Sequence, residues 1–197
     1  MNTTFYQIEN EKLINFMEGF SAAIKLKNRA AENGFFIEYV CLSTSIIDAL
    51  LRIGLVFQYL LKQEKNSFPS KYIFQDEKAK TLSEKAIYIA AKEKGIISES
   101  IHNSLLGLYI KRNQVVHRYI ISRITTNDVL MIASEYDSLI DQISNQVKKL
   151  ELEHIQKDTG FCHLVSGPEG EMLEYINESI EKMANKKHAN HKIAGKQ

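Results

Sequence analysis

The chain has 197 residues, a length typical of one domain or of one domain with an appendage. Its 25 basic and 24 acidic residues leave a net charge of +1, so no overall basic field marks it as a nucleic-acid binder. Its 44% hydrophobic and 25% charged residues exclude the disordered, collagen-like and mucin-like classes, and only 2 prolines and 9 glycines favour long helices over short strands.

The cysteines and the N-terminal residues indicate in which cellular compartment the chain is expected. Cys41 and Cys162 are too few for a disulfide framework or a four-cysteine zinc site, and two free thiols fit a reducing cytosol. Residues 1–7 lack the basic region and apolar run of a secretory signal. The most apolar stretch, residues 35–61, is long enough to cross a membrane, but charged residues interrupt it. We therefore expect a cytoplasmic protein without a membrane partner.

Apolar spacing predicts the first two helices. From about residue 10 to residue 32, apolar residues recur at helical intervals, and Gly34 then supplies a C-cap. From about residue 35 to residue 62 they lie all round, as in the central helix of a bundle or a helix in a dimer interface. Asp48 and Arg52 lie four positions apart on this second helix, so they can form an ion pair or support a site from a second layer.

The middle of the chain contains a loop and two shorter predicted helices. Residues 65–80 lose periodicity and indicate a long loop with one short element at 72–74. Residues 81–84 have capping-box spacing and begin a short helix. Ser98 is predicted to cap the next helix, which covers residues 99–110.

A long helix and a C-terminal arm complete the predicted fold. Residues 125–128 carry a helix start signal, and the helix that follows, to about residue 157, has an apolar seam with a spacing close to the coiled-coil repeat. The seam residues are Ile132, Tyr136, Leu139, Ile143, Val147 and Leu150. The sequence therefore predicts an all-α bundle of four to five main helices at 1–158, a helical arm at 159–186 and a disordered basic tail at 187–197.

Positive charge is concentrated in one segment of this nearly neutral chain. No acidic residue occurs between Glu99 and Asp128. The cations of this segment are Lys111, Arg112, Arg118 and Arg123. A phosphate backbone is attracted to such a segment. Alternatively, the first two cations stabilise the C-terminal end of the 99–110 helix through its dipole.

Residues 112–119 carry the most specific pattern in the chain. They read Arg-Asn-Gln-Val-Val-His-Arg-Tyr. An arginine followed five to seven places later by a histidine is expected by chance roughly 0.5 times in this composition, but adding the asparagine and the tyrosine lowers the expectation to about 5 × 10⁻⁴.

This pattern resembles the R-x4-6-H motif of the HEPN superfamily, and most closely the R-x4-H-x-Y form of HEPN toxins paired with minimal nucleotidyltransferase antitoxins. Those toxins often carry a Gly-hydrophobic pair before the arginine, where this chain has Ile110 and Lys111. The resemblance implies a two-fold symmetric homodimer and a metal-independent endoribonuclease with no cofactor. It further implies RNA cleavage to 2′,3′-cyclic phosphate ends, in a toxin or phage-defence component that pairs with an antitoxin of the nucleotidyltransferase type or another defence protein.

The resemblance also assigns roles to residues. His117 is expected to act as base or acid, since an imidazole titrates near neutral pH, and Arg112 to hold the phosphate oxygens bidentately. Asn113 is expected to cap a helix or support the site, and Tyr119 to correspond either to the tyrosine that an antitoxin modifies or to an ordinary helix-face aromatic. Lys111, with Arg118 and Arg123, is a candidate for RNA contact.

Helix geometry sets a condition on this site. Residues five apart on one continuous helix differ by about 140° around its axis, so Arg112 and His117 would diverge. We therefore expect a helix break near Asn113 that lets Arg112 turn toward His117.

Other interpretations stay open at this stage. The chain could be a non-catalytic HEPN module that binds RNA or protein, or a helical dimer whose 127–157 seam and C-terminal arm bind a partner. The pairs Glu99–His102 and Glu151–His154 are similar to the paired motifs of ferritin-like di-iron bundles, although about 0.5 such matches are expected by chance. Further histidine and cysteine ligands are too few for a metal site at usable spacing. They are Cys162, His163, His188 and His191.

Overall fold

The computed structural model describes residues 3–62, 69–74, 82–157, 178 and 181–185. Across these residues the chain forms helices and one 3-10 turn, with no strand. The elements are α1 (Thr3–Glu32), α2 (Phe36–Lys62), the 3-10 turn (Ser70–Tyr72), α3 (Glu84–Glu93), α4 (Glu99–Arg118) and α5 (Thr126–Gln156). This confirms the predicted all-α fold with its five main helices.

Only part of the predicted C-terminal arm belongs to the described chain. Residues 178 and 181–185 are helical, and Ala184 is fully buried. Lys25 of α1 contacts this part of the arm, because its Nζ donates to Asn185 Oδ1 at 2.9 Å. Most of the predicted arm, the tail at 187–197 and the Cys162, His163, His188 and His191 ligands lie outside the described residues.

Helix α2 forms the centre of the bundle. It packs most extensively against α5 and also contacts α1, α3 and α4. The six seam residues of α5 are all buried in this core. The hypothesis that the 127–157 seam binds an external partner is therefore wrong, because the seam is already covered by α2 of the same chain.

The all-round apolar character of α2 follows from this central position. By length and composition, α2 could cross a membrane, and it is the one such helix in the described part of the chain. However, 61% of its most apolar window is buried inside the protein. A core helix surrounded by other helices needs apolar residues on nearly every face.

Capping side chains set the starts of α3, α4 and α5. Ser83 is the N-cap of α3, later than the predicted start, because the Ser83 side chain accepts from the backbone N–H of Ala86. Ser98 caps α4 as predicted. Thr125 and Asp128 form a reciprocal capping box at the start of α5, which also lowers the pKa of Asp128 through hydrogen bonds from Thr125.

The predicted helix break near Asn113 is wrong, because α4 continues without interruption to Arg118. Residues 110–118 contain no glycine or proline, and Val115 is 1% exposed in the core, which keeps this last part of the helix packed on the bundle. Asn113 is consequently an interior, half-buried helix residue and not an N-cap.

His154, near the end of α5, predicts a pH dependence of stability. It is 1% exposed and packs against the ring of Phe57, and burial lowers its pKa from the ordinary value of 6.5. As the pH falls, the His154 imidazole is therefore protonated more readily in the unfolded chain than in the folded chain. The folded chain keeps its full stability above about pH 6.5 and loses stability below it. We expect the free energy of unfolding, measured in urea between about pH 7.5 and pH 5.5, to decrease toward acid pH.

Two substitutions separate this effect from general acid sensitivity. His154→Phe is expected to flatten the pH dependence, whatever its effect on absolute stability. His117→Ala, which removes an exposed histidine, is the matched control and should keep the slope of the unmodified chain. Equal slopes in the unmodified chain and in His154→Phe would contradict the assignment.

Candidate active site on helix α4

Arg112 and His117 lie on different sides of the last turns of α4. Because the helix is continuous, the two side chains leave it about 140° apart. Arg112 turns toward α3, with 20% of its side chain exposed. His117 is exposed and has no hydrogen-bond or ion-pair partner among the residues that the structure describes. One chain therefore does not bring the two predicted catalytic groups together.

The guanidinium of Arg112 is held between α3 and its own helix. Its Nη2 donates to Oε2 of Glu84, the first residue of α3, and its central carbon lies 5.0 Å from the ring centre of Tyr109. Its Nε is buried without a hydrogen-bond partner. The Nε edge of the guanidinium is thus closed to a ligand, and Nη1 is left without a partner among the described residues.

Glu84 is fixed at both carboxylate oxygens. Tyr88, one helical turn further along α3, donates its hydroxyl hydrogen to Oε1, while Arg112 binds Oε2. Tyr88 is 1% exposed, and burial together with the Glu84 carboxylate raises its pKa far above the ordinary range. The phenol therefore keeps its proton and remains a donor to Glu84.

Two ionisable groups on α2 and α5 lie within electrostatic range of Arg112. Burial raises the pKa of Tyr136 on α5 to about 12, and the charges of Glu84 and Arg112 also act on this phenol. Burial likewise raises the pKa of Cys41 on α2, against the lowering effect of Arg112. The charge of Arg112 therefore acts on groups of two further helices in a low-dielectric interior, where electrostatic effects are strong.

Asp48 and Arg52 form the ion pair that their spacing predicted. Arg52 Nε donates to Asp48 Oδ2 at 2.6 Å, and Arg52 Nη1 donates to the backbone oxygen of Tyr72 at 3.0 Å. Asp48 also acts electrostatically on Tyr88, with its Oδ1 buried and without a hydrogen-bond partner. The pair ties α2 to the 3-10 turn.

The remaining cations of the basic segment differ in their surroundings. Lys111 Nζ binds both carboxylate oxygens of Glu135, at 2.6 and 2.7 Å, so its charge is neutralised at the surface. Arg118 and Arg123 are exposed and form no ion pair within the described ranges. Only these two arginines are therefore free to meet an external anion without first breaking a pair.

An exposed apolar surface, which we call the turn surface, adjoins His117. It consists of Val116 (39% exposed), Ile120 (95%) and Ile121 (81%), at the end of α4 and in the turn before α5. A shallow groove of about 480 Å³ lies beside the turn, between residues 34–38 and the side chains of Tyr119, Thr126 and Val129. Large apolar side chains at such exposure mark an interaction surface.

Tyr119 closes the end of α4 at the edge of this groove. It is the C-cap residue, it is half-buried, and its hydroxyl is 3.0 Å from Oγ1 of Thr126. The hydroxyl is thus engaged in joining the two helices across the turn, as an ordinary helix-end aromatic would be.

Comparison of the chain with protein-family models, curated proteins and solved structures finds no match. No group of three or more His, Cys, Asp or Glu side chains that could hold a metal ion occurs in the described part of the chain. This does not support the di-iron alternative, although both of its histidines, His102 and His154, are buried.

Glu84 and Tyr88 are site residues that sequence reasoning missed. In the sequence, Glu84 forms only part of a capping signal, and its partner Arg112 is 28 positions away. The one local signal is the i,i+4 spacing of Glu84 and Tyr88, which shows that the two side chains share a helix face but not that the face meets Arg112.

Proposed function

We propose that the chain is a metal-independent endoribonuclease of the HEPN type that acts in the cytoplasm as a homodimer, as a toxin or phage-defence component. The observation that carries this proposal is the Arg-Asn-x3-His-x-Tyr pattern of residues 112–119 on a single surface helix of an all-α bundle, with His117 exposed. An exposed histidine without a structural partner is free for proton transfer at neutral pH.

The proposed reaction uses the nucleophile that RNA itself carries. The 2′-oxygen attacks the adjacent phosphorus, a base takes the 2′-hydroxyl proton, and an acid returns a proton to the departing 5′-oxygen. The P–O5′ bond breaks, and the products are a 2′,3′-cyclic phosphate and a free 5′-hydroxyl. His117 supplies the proton-transfer group, and Arg112 stabilises the additional negative charge on the phosphorane.

The divergence of Arg112 and His117 supports a site shared between two copies. One His117 cannot readily act as both base and acid, and one α4 does not direct Arg112 and His117 to the same phosphate. A two-fold dimer supplies two copies of each group. The turn surface is next to His117 and is apolar enough to be covered by a second copy.

The free cations fit the RNA strand beyond the cleaved bond. Arg118 and Arg123 would contact backbone phosphates, whereas Lys111 would first have to leave Glu135. Asn113 is near Arg112 on α4 and would support the site by a hydrogen bond. Tyr119 remains the residue that a nucleotidyltransferase-type antitoxin would modify, and its bond to Thr126 would have to open for that reaction.

A second candidate function is a non-catalytic HEPN module that binds RNA or protein. The pairing of Arg112 with Glu84 favours it, because a neutralised guanidinium has less positive charge to offer a phosphorane. In that case Arg118 and Arg123 would hold RNA without cleavage.

Cleavage of RNA in excess EDTA tests the ribonuclease proposal. We expect the unmodified chain to cut RNA under these conditions and to leave 2′,3′-cyclic phosphate ends, identified by mass spectrometry. His117→Ala is expected to lose about 10²–10⁴-fold in rate, the usual contribution of general acid–base catalysis.

The matched control is His154→Phe, which removes a buried histidine outside the site and should retain cleavage if it folds. A folded dimer that binds RNA but cuts none of a diverse RNA pool would favour the non-catalytic module. Cutting that EDTA abolishes, or that His117→Ala retains, would contradict the proposed chemistry.

A further inference from the structure

Arg112 reaches its position through a chain of contacts that begins in the core. Tyr88, 1% exposed, donates to Glu84, and Glu84 in turn accepts from Nη2 of Arg112. Each of these side chains thus forms a polar contact with the next one in the series. The side chains of Glu84 and Arg112 are only 17% and 20% exposed. Ordered contacts of this kind fix the orientation of a charged group before a ligand arrives.

From this arrangement we infer that Glu84 is a positioning residue for Arg112, itself held by Tyr88, and that Arg112 meets a phosphate through Nη1 and not through a bidentate Nε–Nη2 edge. The inference rests on the proposed function, since it concerns the same site. Glu84 is thus an anchor for Arg112, and the phosphate contact that the sequence predicted as bidentate is made through Nη1.

The alternative role for Glu84, a competitor that RNA must displace, fits the contacts less well. Glu84 is the first residue of α3, directly after the N-cap Ser83, where the helix dipole stabilises a carboxylate. Its second oxygen is held by Tyr88, whose ring is packed in the core. To swing away, Glu84 would have to give up both contacts and the helix-terminal interaction, so it serves better as a fixed anchor.

The available donor atoms explain the altered phosphate contact. Nε is buried without a partner and Nη2 is bound to Glu84, which closes the side-on edge of the guanidinium. Nη1 has no hydrogen bond within the described chain and, unlike Nε, is not fully buried. A phosphate is therefore met at the Nη1 end of the guanidinium, and the side-on two-point contact through Nε and Nη2 is excluded.

Two variants test the anchoring role with two readouts. Tyr88→Phe keeps the ring and removes the donor to Glu84, and Glu84→Gln keeps the shape and removes the charge that holds Arg112. The first readout is the rate at which phenylglyoxal modifies Arg112, measured by mass spectrometry of the peptide that contains it. We expect both variants to raise this rate several-fold, because the guanidinium is released from its anchor.

The second readout is the kinetics of RNA cleavage. A misplaced catalytic group costs up to about 10²-fold in rate, so we expect kcat to fall about 10-fold in Tyr88→Phe and about 10² in Glu84→Gln. KM should change little, because Arg118 and Arg123 still hold the strand. Unfolding would also expose Arg112, whose side chain is 20% exposed in the folded chain, so circular dichroism and urea denaturation must show that both variants are folded before the rates are compared.

Glu135→Gln is the matched control, because it removes an acidic partner from Lys111, the residue directly before Arg112. It should leave the modification rate of Arg112 unchanged. Unchanged modification of Arg112 in both test variants, or a kcat of unmodified size in both when folded, would overturn the inference. If the unmodified chain cuts no RNA, the proposed function fails, and the modification rates alone decide whether Glu84 anchors Arg112.

Discussion

Arg112→Ala is expected to remove RNA cleavage and to lower the free energy of unfolding by about 3 kcal/mol. The loss of stability follows from Glu84, whose carboxylate would be left at 17% side-chain exposure without the guanidinium that now compensates it. Removing one partner of a buried ion pair costs roughly 3–5 kcal/mol, more than the intact pair contributes. Because the Glu84 side chain is still 17% exposed, we expect a cost at the lower end of this range. The catalytic loss, about 10²–10³-fold, reflects a missing donor to the phosphorane.

A double variant separates the two effects. Chemical denaturation should show that Arg112→Met combined with Glu84→Gln recovers most of the lost stability, because neither side chain then carries an uncompensated charge. Cleavage should not recover, because no guanidinium is present. An Arg112→Ala protein as stable as the unmodified chain would mean that the Glu84 carboxylate is solvated and that the ion pair holds neither α3 nor α4.

Mixed dimers test whether Arg112 and His117 act across a two-fold axis. In the proposed homodimer, a mixture of Arg112→Ala and His117→Ala protomers contains dimers in which one composite site retains both groups. We expect partial recovery of cleavage in the mixture, measured against each variant alone. Recovery in no mixture, although mixed dimers form, would argue against a composite site shared between two copies.

The sequence predicted the parts of the fold that depend on neighbours in the chain. The seam from Ile132 to Leu150 follows helical spacing, and every member is buried as that spacing requires. The capping of α5 by Thr125 and Asp128 and the ion pair of Asp48 with Arg52 also involve residues at most four positions apart. Such contacts can be recognised from spacing alone.

The candidate site was less predictable because its main contacts are long-range. Beyond Ile110, Val115 is the one core residue that α4 contributes, and it lies in a mostly polar stretch. The helical spacing of apolar residues is therefore no longer recognisable there, although the helix continues to Arg118. The pairs Arg112–Glu84 and Lys111–Glu135 join residues 28 and 24 positions apart. No local pattern distinguishes these paired cations from the free cations Arg118 and Arg123.

Gly54→Leu is expected to destabilise the protein by about 3 kcal/mol or more, because α2 has no room for a side chain at this position. A Cβ atom on Gly54 would lie 2.9 Å from Cγ2 of Ile96 and 3.5 Å from Cγ2 of Val147. Ile96 is 3% and Val147 is 6% exposed, so neither can move out of the way without disturbing the core. The clash therefore outweighs the gain of about 1 kcal/mol that replacing a helical glycine normally brings.

Gly107→Leu is the matched control for this effect. Gly107 lies within α4 and is exposed, and a Cβ atom added to it would meet nothing within 4 Å, so the same substitution adds helix propensity without a clash. Urea denaturation should show a gain of roughly 0.5–1 kcal/mol for Gly107→Leu and a loss for Gly54→Leu. Because the two substitutions differ only in their surroundings, a similar change in both would mean that Ile96 and Val147 do not pack as closely on Gly54 as the structure places them.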